Sequence, residues 1–165
     1  RYLANVCIVL QLDRSLSDTY WLNVNDPGFP FVGVIEHTNF EPHATYGGRH
    51  IVYLSKYLPE SDPLFRMADR PLVAFAIEHL QRMFPELTPQ WVQDAHVWRA
   101  RHSQPIVTRG YGKEIPAGTT PIGGVYLASM AQIYPEDRGT NYAISAGRNI
   151  ATVLRQHLAA WLPGQ

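Results

Sequence analysis

The sequence predicts an α+β fold: a mixed, largely antiparallel β-sheet with flanking helices, then a closing strand and a long C-terminal helix. Three observations predict it. Short apolar and β-branched runs fill residues 1–55 and 92–101. Pro- and Gly-rich turns, not helices, join these runs. Helical spacing appears only at 69–84 and from 141 onward, which is the pattern of a layered α+β unit rather than of repeated βαβ units.

Taken in order, Tyr2 to Leu12 is rich in Val, Ile and Leu and reads as a buried strand, and Asp13 to Asp18 as a polar turn. Cys7 lies inside that strand as a small core residue, because apolar surroundings disfavour a thiolate. Residues 20–25 form a second strand, 26–30 a turn and 31–38 a third strand, with the short turn implying an antiparallel pair. A Pro- and Gly-containing loop, 39–48, leads to a fourth strand over 50–55.

The segment 61–65 reads as a turn. A helix over 69–84 follows, with Asp69 as its N-cap, an early Pro71, and Leu72, Phe75, Ala76, Leu80 and Met83 on its core face. Pro85 ends it, and a single turn at 88–91 leads into the strand 92–101. There Ala95, Val97, Arg99 and Arg101 fall on one side and His96, Trp98 and Ala100 on the other.

Behind the break at Gly123-Gly124, Val125 to Ala128 is a compact apolar run expected of a buried strand, and 135–140 reads as a loop entering a helix. Ala143, Gly147, Ile150, Ala151, Leu154 and Leu158 make the stripe expected to pack against a larger body, with Gly147 admitting a close neighbour. The entrance at Arg138-Gly139-Thr140-Asn141 offers unpaired N–H groups and the positive end of the helix dipole to an anionic or electron-rich ligand.

Composition narrows the functions available. With 165 residues, 45% hydrophobic and 12% aromatic, the chain can bury a real core, and 14 basic residues balance 14 acidic ones without a block of like charge, so no nucleic-acid footprint is expected. No apolar run reaches the roughly 20 residues of a transmembrane segment. A single cysteine excludes an internal disulfide and agrees with a cytoplasmic location. His37, His43 and His50 are spaced by six and seven residues, unlike metal-ligand pairs, and no metal site is expected. A start at Arg1 reads as a piece of a longer protein.

Tyr126-Leu127-Ala128-Ser129-Met130, followed by Tyr142-Ala143-Ile144-Ser145-Ala146-Gly147-Arg148-Asn149-Ile150-Ala151, resembles the closing motif of flavin-dependent amine oxidases, phytoene desaturases and protoporphyrinogen oxidases. Gln104 to Val107 and Gly110-Tyr111 resemble the stretch that precedes it in protoporphyrinogen oxidases. The resemblance implies FAD as cofactor, contacted by Ser129, Met130 and Ala131 after the strand and by Gly139, Thr140, Asn141 and Tyr142 at the helix entrance. Met130 stands where that family carries an acidic residue, which leaves backbone contacts at this position.

The dinucleotide-binding start of such proteins, Gly-x-Gly-x-x-Gly after a strand, has no counterpart here. The implied organisation is a substrate-binding region at 1–122 and an FAD-contacting piece at 123–162. An upstream dinucleotide-binding domain of the same protein would be the partner, and FAD would not be held by this chain alone. Tyr126, Met130, Ile133 and Tyr142 would then be left bare.

The implied function is that of a C-terminal fragment of an FAD-dependent oxidoreductase acting on a small molecule. Val34 to Glu41 resembles a stretch of UDP-galactopyranose mutases, so a flavin-dependent sugar-nucleotide mutase is the alternative, with Arg99, Arg101 and Arg109 as substrate clamps. A non-catalytic module that stacks a sugar or partner on Tyr20, Trp21, Tyr46 and Trp98 is the third reading.

Overall fold

The computed structural model describes residues 1–161, with side chains through 159. The chain divides into two compact units, 1–106 and 107–165. The last position of the predicted C-terminal piece, 162, lies outside the described residues.

The first unit is a five-stranded sheet. β1 (Tyr2–Leu12) runs through it, and β2 (Trp21–Asn23), β3 (Gly33–Glu36), β4 (His50–Leu58) and β5 (Val92–Pro105) complete the order β2-β3-β4-β1-β5. All four pairings are antiparallel. Two helices follow β4: the single turn α1 (Pro63–Arg66), capped by the Asp62 side chain, and α2 (Asp69–Met83).

The alternation in β1 produces the core. Ala4, Val6, Ile8, Leu10 and Leu12 are buried, while the residues between them are only half-buried. Leu72, Ala76 and Leu80 of α2 close over that face with Leu54, Leu58, Val34 and Phe31. The alternation of β1 shows in its burial rather than in its composition, since Leu3, Cys7 and Val9 on the other face are apolar too.

The structure moves several predicted boundaries. β4 continues to Leu58 and β5 to Pro105, because each is extended by pairing with β1, as in Ala4 with Leu58 and Tyr2 with Pro105. The N-cap of α2 is Ala68 rather than Asp69. The Asp69 carboxylate sits instead in the first turn, where Arg99 holds it at 2.5 Å.

The second unit is built differently. It contains short 3-10 turns at Tyr111–Lys113 and Met130–Gln132 and the helix α3 (Thr140–Trp161). The expected strand at 125–128 is extended but forms only an isolated antiparallel bridge, Tyr126 with Thr119, and Val125 and Leu127 are exposed. A strand becomes a strand through neighbours on its edges, and among the described residues of this unit only Thr119 supplies one.

The buried face of α3 also differs from the expected stripe. Tyr142, Ala146, Ile150 and Val153 are half-buried, whereas Ala143, Gly147, Ala151, Leu154 and Leu158 are exposed. A Cβ on Gly147 would meet nothing within 4 Å. The close approach falls at Gly118, where a Cβ would lie 2.8 Å from Cδ1 of Ile150. The helix therefore turns a face about a quarter-turn away from the one its apolar residues mark.

Candidate functional site

Two places carry chemistry, one in each unit. The first is the face of the sheet opposite α2. Strand register places Cys7 between Ser55 and Trp98, and Val9 between Tyr53 and His96. Tyr53 in turn pairs with Ile35, which pairs with Trp21. This face is lined by aromatic and imidazole rings, and Trp98 is 67% exposed.

The segment Glu36-His37-Thr38-Asn39 builds the upper end of that face, and each of its side chains has a different task. Glu36 is 1% exposed, and its carboxylate accepts hydrogen bonds from Ser15 Oγ at 2.6 Å and from the N–H groups of Leu16 and Ser17 at 3.1 and 3.0 Å. Nδ1 of His50 lies 3.7 Å from it. Thr38 Oγ1 accepts from the Ile51 N–H at 3.1 Å, and Asn39 Nδ2 donates to the carbonyls of Ser17 and Thr19. Those three side chains tie the 13–19 loop and β4 to β3.

His37 is the exception. Its Nε2 lies 2.7 Å from the Tyr46 hydroxyl, and its ring meets Tyr53 edge-on at 5.9 Å and 89°. Tyr46 ends a 3-10 turn, His43–Tyr46, that Gly47 closes with φ of 63°, a left-handed conformation that favours glycine. Burial raises the Tyr53 pKa above the usual phenol range, and the nearby Tyr46, Cys7 and Tyr20 push the same way. Burial likewise raises the Cys7 pKa, so that thiol is a poor nucleophile.

The histidine triplet noted in the sequence divides into two pairs, His37 with Tyr46 and His43 stacked on His50 at 4.9 Å. Among the described residues, no group of three or more His, Cys, Asp or Glu side chains could hold a metal ion.

Two of the three arginines proposed as clamps are already engaged. Arg99 lies on the α2 side of the sheet, opposite Val6, and binds Asp69 and the Met67 carbonyl. Arg101 pairs with Glu60 at 3.3 Å. Arg109 belongs to the second unit, in the turn before Tyr111. The side chain alternation of β5 follows the prediction, but a committed ion pair on the helix-covered face is a structural use of Arg99.

The second place is the entrance to α3. Helix geometry leaves the N–H groups of Thr140, Asn141 and Tyr142 without intrahelical partners, and the first bond of the turn runs from Ala143 N–H to the Gly139 carbonyl at 3.1 Å. The space a side chain at Gly139 would need is taken by Asn141 Oδ1, 2.5 Å from a Cβ built there. Ser129 and Ala131 are used internally: Ser129 Oγ accepts from Ala131 N–H, Gln132 Oε1 accepts from Ser129 N–H, and the Tyr111 hydroxyl donates to the Ala131 carbonyl at 2.6 Å.

Of the seven residues expected to touch a flavin, 139–142 lie at the helix entrance, where first-turn N–H groups point along the dipole, whereas Ser129, Met130 and Ala131 form a self-capped turn. Tyr126, Met130, Ile133 and Tyr142 are half-buried. Among the described residues of this unit, the bare large apolar side chains are instead Val107, Ile122, Val125, Leu127, Tyr134, Ile144, Leu154 and Leu158.

The residue missed by the sequence reading is His37 as a partner of Tyr46. The two are nine positions apart across a loop, and only the loop's closing turn brings them together. The histidines in 37–50 were the available signal.

The family profile described as Flavin containing amine oxidoreductase matches residues 4–155, and the chain belongs to that family. Two solved structures share the fold. One is a protein named as a protoporphyrinogen oxidase from Exiguobacterium, with a TM-score of 0.69 at 15% identity over 94% of this chain and 35% of its own. The other is an oxidoreductase from Methanosarcina mazei, with a TM-score of 0.58 at 17% identity over 94% of this chain and 34% of its own. The chain thus spans about a third of each of these relatives. No curated protein matches it. Among the described residues, no helix is long and apolar enough to cross a membrane.

Proposed function

We propose that this chain is the substrate-binding and flavin-closing portion of an FAD-dependent oxidoreductase that dehydrogenates a small molecule. The family match across 4–155, which runs through both the sheet and the α3 entrance, carries this reading. The flavin, when bound, supplies the two-electron acceptor.

The chain's own residues have two roles. The first-turn N–H groups of Thr140, Asn141 and Tyr142, with the positive end of the α3 dipole behind them, hold an electron-rich carbonyl edge. The open sheet face offers Trp98, Tyr53, Val9 and Cys7 as an apolar and aromatic wall for the substrate, which shields it from water. An upstream dinucleotide-binding segment of the same protein would bind the remaining adenine, ribose and pyrophosphate.

Purification of the longer protein tests this. A flavin absorption band is expected, with little flavin fluorescence change when FAD is titrated into the 165-residue chain. A longer protein that stays colourless after reconstitution with FAD would sink the reading, and tight stoichiometric FAD binding by this chain would overturn its fragment part.

A further inference from the structure

We infer that Tyr46 and His37 form an acid–base relay that takes a proton from an N–H or O–H group of a ligand lying on the open sheet face. The inference rests on the reading of that face as the substrate side.

Three observations converge on it. First, the Tyr46 hydroxyl and His37 Nε2 are 2.7 Å apart, a short hydrogen bond; the relay uses the tautomer with the imidazole proton on Nδ1, in which Nε2 accepts and the hydroxyl donates. In that state the Tyr46 oxygen keeps its lone pairs for a second donor. Second, the pair is on the correct face: His37 meets Tyr53 edge-on, and Tyr53 shares its row with Val9 and His96. Tyr46 itself is 37% exposed.

Third, the pair is held by a rigid frame. Glu36, Thr38 and Asn39 are consumed by hydrogen bonds that lock the 13–19 loop and β4. Among these four consecutive residues, His37 is the one whose bond goes to an exposed side chain. Supporting bonds that leave one titratable pair presented to solvent are how a reacting group is pre-positioned.

The step is a proton transfer only. The ligand X–H bond breaks and its proton goes to the Tyr46 oxygen as the Tyr46 proton moves to His37 Nε2. The ligand keeps the electron pair, and the imidazole becomes imidazolium. The titratable group whose ring meets the pair is Tyr53 from β4, and Tyr53 in turn interacts with Tyr46, with Cys7 from β1 and with Tyr20 before β2. His37 is the group hydrogen-bonded to the Tyr46 hydroxyl, and the relay assigns it the role of base.

The probe is 4-nitrophenol, yellow only when ionised, titrated into the 165-residue chain below the dye's own ionisation range while the His37 ring signals are followed by NMR. Bound dye is expected in the ionised form with His37 moving to imidazolium. Tyr46→Phe keeps the ring against His37 and removes only the hydroxyl. It should lower the ratio of ionised to neutral bound dye by about tenfold, the loss of one hydrogen bond to a charged group, with the melting curve unchanged.

Tyr57→Phe, which removes another hydroxyl from the same face, should leave the ratio as it was. Absence of dye binding, or equal ionisation in the parent chain and Tyr46→Phe, overturns the relay. The measurement needs no flavin. A relay in this chain beside a colourless longer protein removes the proposed oxidoreductase alone, and a yellow longer protein without the relay removes this inference alone.

Discussion

Residues 1–106 bury fifteen apolar side chains, from Ala4 to Leu87, whereas among the described residues from 107 to 159 none is buried. The two units have comparable apolar content to work with, and the difference lies in geometry. In the first, a β-strand with strict alternation meets a helix with a matching stripe, so each covers the other. In the second, among the described residues, α3 carries a stripe through Leu154 and Leu158 that stays exposed, and the extended run at 125–128 finds a single bridging partner. A unit with a closed core has its stability in that core, whereas a unit with exposed apolar faces has little burial of its own to draw on. The comparison yields four expected outcomes.

The largest effect separates the units most sharply. Leu10→Ala and Leu80→Ala, both at 0% exposure, should each cost about 2–5 kcal/mol by leaving a cavity in a packed core, while Leu158→Ala should cost less than about 0.5 kcal/mol. Chemical denaturation of the variants measures this. Comparable losses at Leu158 would show that α3 is covered after all.

Next comes Glu36→Ala, which strands the Ser15 hydroxyl and the N–H groups of Leu16 and Ser17 without their acceptor. A loss of about 3 kcal/mol is expected, with faster amide exchange confined to 13–19. If exchange there stayed at the parent rate, the carboxylate would not be what holds the loop.

Alkaline titration sharpens the same contrast. Cys7 and Tyr53 both have folded-state pKa values raised by burial, so the unfolded chain releases these protons first. Their contribution is present below the ordinary thiol and phenol ranges and is lost as pH rises through the raised values. The stability of the first unit should therefore fall with increasing pH in that window, and Cys7→Ala should flatten the earlier part of the fall. A curve identical in the variant would remove Cys7 from the account.

The smallest effect has the opposite sign. Gly147→Ala adds a methyl group to open space in the middle of a helix and should stabilise α3 by up to about 1 kcal/mol. Helicity followed by circular dichroism during thermal melting measures it. Destabilisation would mean that a neighbour presses on this position.

What was legible in the residues was whatever depends on local period. The strand Tyr2 to Leu12, the α2 face at Leu72, Ala76 and Leu80, the single turn before β5 and the long helix beginning near Thr140 could all be read because strand composition and period-3.6 patterns are written along the chain. The motif at 126–151 likewise pointed to the family that matches residues 4–155. Strand ends could not be read: β4 and β5 are as long as their pairing with β1 allows, and pairing is a property of two strands.

The same limit governs the site. Arg99 was a candidate clamp because an arginine in a strand can face either ion pair or ligand, and only the packing of α2 over that face commits it to Asp69 and the Met67 carbonyl. Gly147 marked a close approach by its residue type, yet the contact belongs to Gly118 against Ile150, since which side of a helix is covered depends on what stands beside it. His37 reads as the end of a strand and Tyr46 as a stacking aromatic in a loop, and the turn at Gly47 brings them within 2.7 Å. Periodicity and motif are local and survive in the chain as text, whereas partners, faces and distances are relations between segments far apart in sequence, and only the folded chain brings those segments together.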